Sequence, residues 1–451
     1  MSYHEEVQDL SEEDIQPGDV LRVEKKEEVF EGVLMPRTEQ GKRDSIVLKL
    51  ESGYNIGLEI SDDIKIEKLG ETEEGEVNAG IDELKEKTNI DNSEDKPEVS
   101  ILAAGGTIAS RIDYRTGAVK PSFTEENLIS FTPEIASLAD IDGRQLFQAL
   151  SENLTPEHWQ EIAEAVKEEV ENGKDGVVVM HGTDTMGYTA AALSFMLENL
   201  PVPVVLVGSQ RSSDRGSSDA HQNLVCAVKA ATTDIAEVMV CMHGESSDNF
   251  CYLHPGTKVR KMHTSRRDAF RTINTEPIAK VSWDGLEVEI MDDYQRKDKD
   301  RDLQLKDEFN NNIALVKTHP GITAEDLEKR IEGKDGVILE GTGLGHIPLR
   351  EEDSEIRKVL EKYIDEGGLA FMTSQCLYGR VNMNVYETGV DLQELGVLGN
   401  FNDMLPETAY VKLGWLLGNY SKEEVGDLMV KNLRGEISQR SRHNEFGTEG
   451  E

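Results

Sequence analysis

The sequence predicts an α/β protein: a two-domain, mostly parallel α/β core over residues 99–440, preceded by a small β-rich, barrel-like domain over residues 1–70. Three observations support this. Short apolar runs with period two fill the first segment, separated by turn residues. From residue 99 onward, apolar strands alternate with amphipathic helices, as in a sheet covered on both faces. Between the two lies a stretch of Glu, Asp, Lys, Asn and Gly with little to bury.

In the first domain the runs 19–23, 29–35, Ser45–Leu50 and 54–60 alternate apolar and polar residues, with Pro17-Gly18, Gly41 and Gly53 between them. Residues 71–98 read as an acidic, mobile linker, with one candidate short helix at 81–87. The domain spanning 99–286 has strand candidates at 99–103, Gly176–Met180, Val204–Val207 and 238–242. Its clearest helix covers 155–171: Thr155 suits the N-cap, Pro156 the first turn, and Gly173 ends it, while Trp159, Ile162, Ala163, Val166 and Val170 share a face. A charged connection at 287–312 leads to a second α/β domain over 313–440. Its strands fall at Ile313–Lys317, 336–339 and 369–373, and its helices at Ala324–Ile331 and 354–366. Residues 441–451 form a polar tail expected to be disordered.

Charge narrows the function classes. With 48 basic and 88 acidic residues, the formal net charge of the 451-residue chain is −40. Such self-repulsion opposes compaction in dilute buffer, whereas at molar salt the Debye length falls to roughly 3 Å and most of it is screened. A salt-rich, halophilic cytoplasm is therefore expected, and an acidic but salt-indifferent protein is the alternative. The same charge argues against a surface that grips phosphates broadly, because nucleic-acid affinity comes from Lys and Arg displacing counterions. Four cysteines without paired spacing read as free thiols. Neither a leader segment nor a membrane span is expected, so the protein should be soluble and cytoplasmic, with no membrane contact.

Three turns follow strands in the middle domain, where open α/β sheets place their ligands. They are Ala104-Gly105-Gly106-Thr107, Met180-His181-Gly182-Thr183-Asp184 and Gly208-Ser209-Gln210-Arg211. Each alone also fits an ordinary strand-to-helix turn in which Thr or Asp caps the next helix. Gly105 and Gly106 would let the backbone bend sharply and present Thr107. His158, His181, His221, His243, His254, His263, His319 and His346 show no trusted metal-ligand spacing and read as structural; no metal site is expected. Glu340-Gly341-Thr342-Gly343-Leu344-Gly345 lacks the third glycine of a dinucleotide loop, and the chain has no Walker-type phosphate loop, so nucleotide binding by this chain is rejected.

Gly-Gly-Thr-Ile-Ala at 105–109, followed by His-Gly-Thr-Asp-Thr at 181–185, resembles the two active-site signatures of the bacterial-type asparaginases over roughly residues 99–439. The resemblance implies that Thr107 is the nucleophile attacking a side-chain carboxamide, and that Thr183 and Asp184 form the second half of the site. It also places Lys261, in Val259-Arg260-Lys261-Met262-His263-Thr264, as the base. A lysine at its reference pKa of about 10.4 is a poor base at neutral pH, so burial or a neighbouring cation such as Arg260 is expected to lower it. Tyr114 resembles the tyrosine of the family's mobile lid. Gly106 and Ser151-Glu152 resemble the segments that hold the substrate's backbone groups. The third-domain segments around 341–345 and 374–379 match the smaller asparaginase domain, which in that family helps build the site across a dimer interface.

A free-standing asparaginase does not need the residues before 99. That architecture, with the segments at 110–119, 259–270 and 374–386, is similar to the D subunits of archaeal glutamyl-tRNA(Gln) amidotransferases. The resemblance implies a glutaminase that supplies ammonia to a partner, the E subunit. The partner would bind ATP, Mg2+ and Glu-tRNA(Gln), with none of these cofactors held by this chain. A D2E2 heterotetramer built on a homodimer of the asparaginase-like domains is the implied assembly, and glutamine the implied substrate. A stand-alone cytoplasmic asparaginase with an accessory N-terminal domain is the alternative.

Overall fold

The computed structural model describes residues 15, 19–25, 28–34, 45–50, 55–60, 64–71, 96–105, 110–112, 119–121, 132, 134–211, 218–349 and 354–441. Strands β1 (Asp19–Lys25), β2 (Glu28–Leu34), β3 (Ser45–Leu50), β4 (Asn55–Glu59) and β5 (Ile64–Glu71) form an antiparallel sheet in the order β4-β3-β2-β1-β5. Alternation decides its inner face: Leu21, Val23, Leu34, Ile46, Leu48, Leu58, Ile64 and Ile66 pack with Ile15. Strand β5 escapes a sequence reading because Ile64 and Ile66 alternate within a run otherwise dominated by Lys and Glu. The short helix expected at 81–87 lies outside the described residues, as does most of the 71–98 linker.

The next domain runs through β6 (Glu98–Ala103), a hairpin of β7 (Ser110–Ile112) and β8 (Val119–Pro121), the single turn α1 (Ile135–Leu138), β9 (Asp140–Gln145), α2 (Pro156–Glu171), β10 (Gly176–Met180), α3 (Met186–Met196), β11 (Leu197–Glu198), β12 (Val204–Val207), α4 (Ala220–Ala231) and β13 (Val238–His243). Then come β14 (Phe250–Pro255), the hairpin β15 (Val259–Lys261) and β16 (Phe270–Thr272), β17 (Ala279–Ser282) and β18 (Val288–Ile290). The main sheet has the order β18-β17-β14-β13-β12-β10-β6-β9. Strands β9, β6, β10, β12 and β13 are parallel, whereas β14, β17 and β18 extend the edge antiparallel. The central strand β10 is buried along its whole length because both faces are covered: Val177 and Val179 enter one core, Val178 and Met180 the other.

The third sheet is β20 (Ile313–Lys317), β21 (Gly336–Gly341) and β22 (Leu369–Ser374), all parallel, following the short β19 (Gln304–Leu305). Its helices are α5 (Ala324–Ile331), α6 (Glu355–Asp365), α7 (Glu387–Glu394), α8 (Pro406–Asn419) and α9 (Lys422–Met429). Helix α8 packs on α3 of the preceding domain, with Trp415 stacked on Phe195 at 5.3 Å between ring centroids. The two α/β domains therefore share one hydrophobic core, which takes in Leu193, Phe195, Ile338, Phe371, Leu413 and Trp415. The charged connection is also fastened down: β19 pairs with β11, and Lys297 bonds to the Asp175 carboxylate at 2.7 Å. Its charges suggest a spacer, yet its contacts seal the seam.

Candidate active site

The site begins where β10 runs out. Residues 181–185 turn out of the sheet and open α3, and their backbone is held by neighbouring strand ends: His181 N–H donates to the Val207 carbonyl at 2.9 Å, and Ala104 N–H to the Met180 carbonyl at 2.9 Å. The His181 ring is buried between the Gly182 carbonyl (2.6 Å from Nδ1) and the Thr189 hydroxyl (2.9 Å from Nε2). Burial pushes its pKa down to about 4, so the ring stays neutral, Nδ1–H donating to Gly182 and Nε2 accepting from Thr189. Room for the turn depends on Gly208, where a Cβ would stand 2.6 Å from the His181 carbonyl and 3.0 Å from the Thr183 methyl.

Lys261 reaches the turn from the β15–β16 hairpin. Its Nζ donates to Thr183 Oγ1 at 2.9 Å and to Asp184 Oδ1 at 2.7 Å. The lysine side chain is mostly covered, at 15% exposed, whereas Asp184 is 64% exposed and open on its other side. Alternation along β15 sends Arg260 the other way, to Glu407 at the start of α8 at 3.0 Å. The expected neighbouring cation is thus spent elsewhere. Thr264, three residues beyond Lys261, is exposed.

Ser151 and Glu152 lie in one turn of 3-10 helix, residues Ser151–Asn153, just before α2. Ser151 is buried against Gly182: a Cβ on that glycine would come within 2.9 Å of the serine hydroxyl oxygen. The Thr185 hydroxyl donates to the Ser151 carbonyl at 2.7 Å, tying the two segments together, and Glu152 faces solvent. The structure thus brings Thr183, Asp184 and Lys261 into direct contact and sets Ser151 beside them. Gly106, Thr107 and Tyr114 lie outside the described residues. Gly105, immediately before them, has φ +96° and faces the Ala149 backbone so closely that a Cβ would sit 2.2 Å from its carbonyl oxygen, which accounts for a glycine there.

Several supporting residues carried no local signal. Asp219, fully buried, accepts from the backbone N–H groups of Gln210 and Arg211 at 2.9 Å each and from the Asn223 amide at 3.0 Å, which fixes the third turn. His243 bonds to Asn223 Oδ1 at 2.6 Å and to Asp248 at 3.2 Å, and Asp248 in turn pairs with Arg267 of the hairpin loop. Arg266 grips Asp268 with two 2.8 Å bonds and Arg271 adds a third, holding that carboxyl well below its usual range. Among the other histidines, His158 accepts from the Thr155 N–H at 3.1 Å at the start of α2, and His254 is buried against the Thr272 hydroxyl at 2.7 Å. Among the described residues, no group of three or more His, Cys, Asp or Glu is placed to hold a metal ion, and no helix is long and apolar enough to cross a membrane.

Three family models match in order: the GatD N-terminal domain at 15–69, the N-terminal asparaginase domain at 98–295, and the glutaminase/asparaginase C-terminal domain at 312–429. The D subunit of the glutamyl-tRNA(Gln) amidotransferase of Pyrococcus abyssi is 49% identical over 97% of this chain and 98% of its own length. The chain belongs to this D-subunit family. The protein of the same name from Methanothermobacter thermautotrophicus is 48% identical over 96% of both chains. Among solved structures, the L-asparaginase of Thermococcus kodakarensis aligns with a TM-score of 0.67 at 32% identity, covering all of that chain and 76% of this one. L-asparaginase I of Vibrio cholerae aligns at 0.65 and 30% identity, with the same coverage of both chains. The asparaginases thus match the α/β core alone, whereas the D-subunit relatives extend over the whole length.

Proposed function

We propose that this chain is the glutamine-hydrolysing component of a tRNA-dependent amidotransferase, releasing ammonia for the conversion of Glu-tRNA(Gln) to Gln-tRNA(Gln). The observation that carries this reading is the contact of Lys261 with Thr183 and Asp184, in a chain whose likeness to the amidotransferase D subunits runs from end to end. The Thr107 hydroxyl adds to the side-chain carboxamide carbon of glutamine, the C–N bond breaks, and ammonia leaves with the proton. Water then hydrolyses the acyl-threonine ester to give glutamate. A hydroxyl is a feeble nucleophile until a base takes its proton. Lys261, Thr183 and Asp184 form the proton-moving part of the site, with Lys261 as the base, Thr183 between it and the reacting centre, and the Asp184 carboxylate paired with the lysine amine. Gly106, Ser151 and Glu152 are assigned to binding the substrate's charged backbone groups, and Tyr114 to activating the nucleophile.

The remaining chemistry belongs to a partner. The E subunit would bind ATP, Mg2+ and Glu-tRNA(Gln), in a cytoplasmic D2E2 assembly built on a homodimer of this chain. The net charge of −40 supports a halophilic host and a tRNA contact made mainly through the partner.

The test is the rate of glutamine hydrolysis by this chain alone, with the E subunit, and with the E subunit plus Glu-tRNA(Gln). A steep rise at the last step is expected, because the partner's cargo is the acceptor to which ammonia release is coupled. Equal rates in all three, with asparagine as good a substrate as glutamine, would indicate a free asparaginase. Thr107→Ala should abolish glutamine hydrolysis while added ammonia restores amidation by the complex; near-normal hydrolysis would refute the nucleophile.

A further inference from the structure

The hairpin that carries Lys261 is a two-stranded unit of its own, separate from the main sheet. Its tip and strands touch its own domain, but its base is bonded to the other. At its base, the Lys258 carbonyl accepts from Ile273 N–H at 2.9 Å, closing the ladder three residues before Lys261. The Lys258 ammonium is buried, 1% exposed, and bonds to Asp403 Oδ2 at 2.9 Å and to the Ser438 hydroxyl at 3.1 Å. Just past the returning strand, Asn274 adopts φ +60° and is buried. Its side-chain amide donates to the carbonyls of Leu377, Gly379 and Asp403 at 3.1–3.3 Å and accepts from Gly379 N–H at 2.9 Å. Ser438 closes the loop, its N–H donating to Asp403 Oδ1 at 2.9 Å and its hydroxyl to the Asn274 carbonyl at 3.1 Å.

Neighbouring positions repeat the pattern. The Thr408 hydroxyl donates to the Thr257 carbonyl at 2.9 Å, the Thr257 hydroxyl to the Arg434 carbonyl at 3.1 Å, and Arg260 pairs with Glu407. Both legs of the hairpin are thus bonded at their base to residues 377–438, beyond β22.

We infer that Asp403, with Lys258, Asn274 and Ser438, is a positioning unit through which the C-terminal α/β domain sets the placement of the Lys261 amine against Thr183 and Asp184. Resting on the role of Lys261 proposed above, the inference assigns these four residues no contact with substrate. A buried ion pair contributes little net stability compared with apolar replacements, so its value here lies in the single geometry it enforces. Lys258 is three residues from Lys261, and a small rotation of the hairpin base is magnified at the amine. Misplacement of a reacting group by about 1 Å costs on the order of 100-fold in rate.

The experiment compares two ion pairs in the full-length chain, read by ammonia release from L-glutamine and by thermal melts. Lys258→Met/Asp403→Asn removes the charges at the hairpin base. Lys297→Met/Asp175→Asn removes a mostly covered pair, 2.7 Å apart, that ties the charged connection to the turn before β10 and touches neither the hairpin nor residues 377–438. The first variant should lose about 10- to 100-fold in kcat with KM within about twofold of the parent. The second should lower the melting temperature and leave kcat unchanged. Ser438→Ala, a smaller lesion that keeps both charges, should reduce kcat about threefold, and it decides the matter should the first double variant not fold. Unchanged kcat in the hairpin variants, or losses in all variants that track melting temperature alone, would overturn the inference. Lys261→Arg serves as the separate check: near-normal activity there would remove the role of Lys261 itself and leave the hairpin variants as a test of structure only.

Discussion

The two halves of the candidate site are held by different means. The turn carrying Thr183 and Asp184 is secured within its own domain: strand ends on either side fix its backbone, and the buried ring of His181 locks it from beneath. The hairpin carrying Lys261 is secured at its base from the C-terminal domain as well, through side chains more than a hundred residues away, such as Asp403 and Ser438. A site split in this way is complete only when both domains are docked, so the shared core of Phe195, Leu413 and Trp415 bears on catalysis as well as on stability.

Substitution at the junction of the two halves should have the largest effect. Lys261→Arg keeps the positive charge but cannot act as a base, and glutamine hydrolysis should fall by about 10²–10⁴-fold. Full kinetics on the purified variant decide it; a mild effect would make the lysine a structural tie between the halves.

Acid should act on the turn through His181. The folded pKa of His181 is lowered to about 4 from an ordinary value near 6.5, so the unfolded chain binds the proton first as pH falls. Its contribution is fully present above about pH 6.5 and is lost between there and about pH 4, amounting to roughly 3 kcal/mol. Denaturant melts at several pH values should show this slope, reduced in His181→Gln. An identical slope in both proteins would assign the acid sensitivity elsewhere, with His254, lowered to about 3, the next group to test.

Crowding the turn is the next step down. Gly208→Ala places a methyl against the His181 carbonyl and the Thr183 methyl, and should destabilise by about 1–3 kcal/mol. Activity should drop with stability, since the added methyl crowds the turn at His181, Met186 and Thr183 together. A variant with the parental melting temperature and kcat would show that the turn has slack.

Salt should separate surface from interior with the smallest effect on the site. Melting temperature should rise from low to molar salt as screening relieves the charge of −40. The Lys258–Asp403 contact, shielded from solvent, should be unaffected, so kcat on the folded enzyme should change little. A melting temperature independent of salt would defeat the halophilic reading.

Local pattern accounts for what could be read without coordinates. Alternation in 19–23 and 45–50, the apolar run at 176–180 and the cap at Thr155 each report a neighbour a few residues away, and the structure has strands and a helix at those places. The antiparallel edge β14, β17 and β18 escapes such a reading, because strands of three to six residues are too short for a pattern to stand out and their pairing spans long connections. The direction of Arg260 likewise does not follow from its adjacency to Lys261: neighbours in a strand face opposite sides, and only the docking of α8 supplies Glu407.

The sequence by itself determined the family and the α/β class, because both depend on residue types at short spacing, and through the family resemblance it named Thr183, Asp184 and Lys261 as site candidates. Tertiary structure alone decided that these three meet, that Asp219 and Asn223 brace the neighbouring turn, and that Lys258, Asn274, Asp403 and Ser438 join hairpin to far domain. Those contacts link positions up to 180 residues apart. No local periodicity encodes such a pairing, since it arises only when two independently patterned domains bury their apolar faces against each other and carry their polar groups into register.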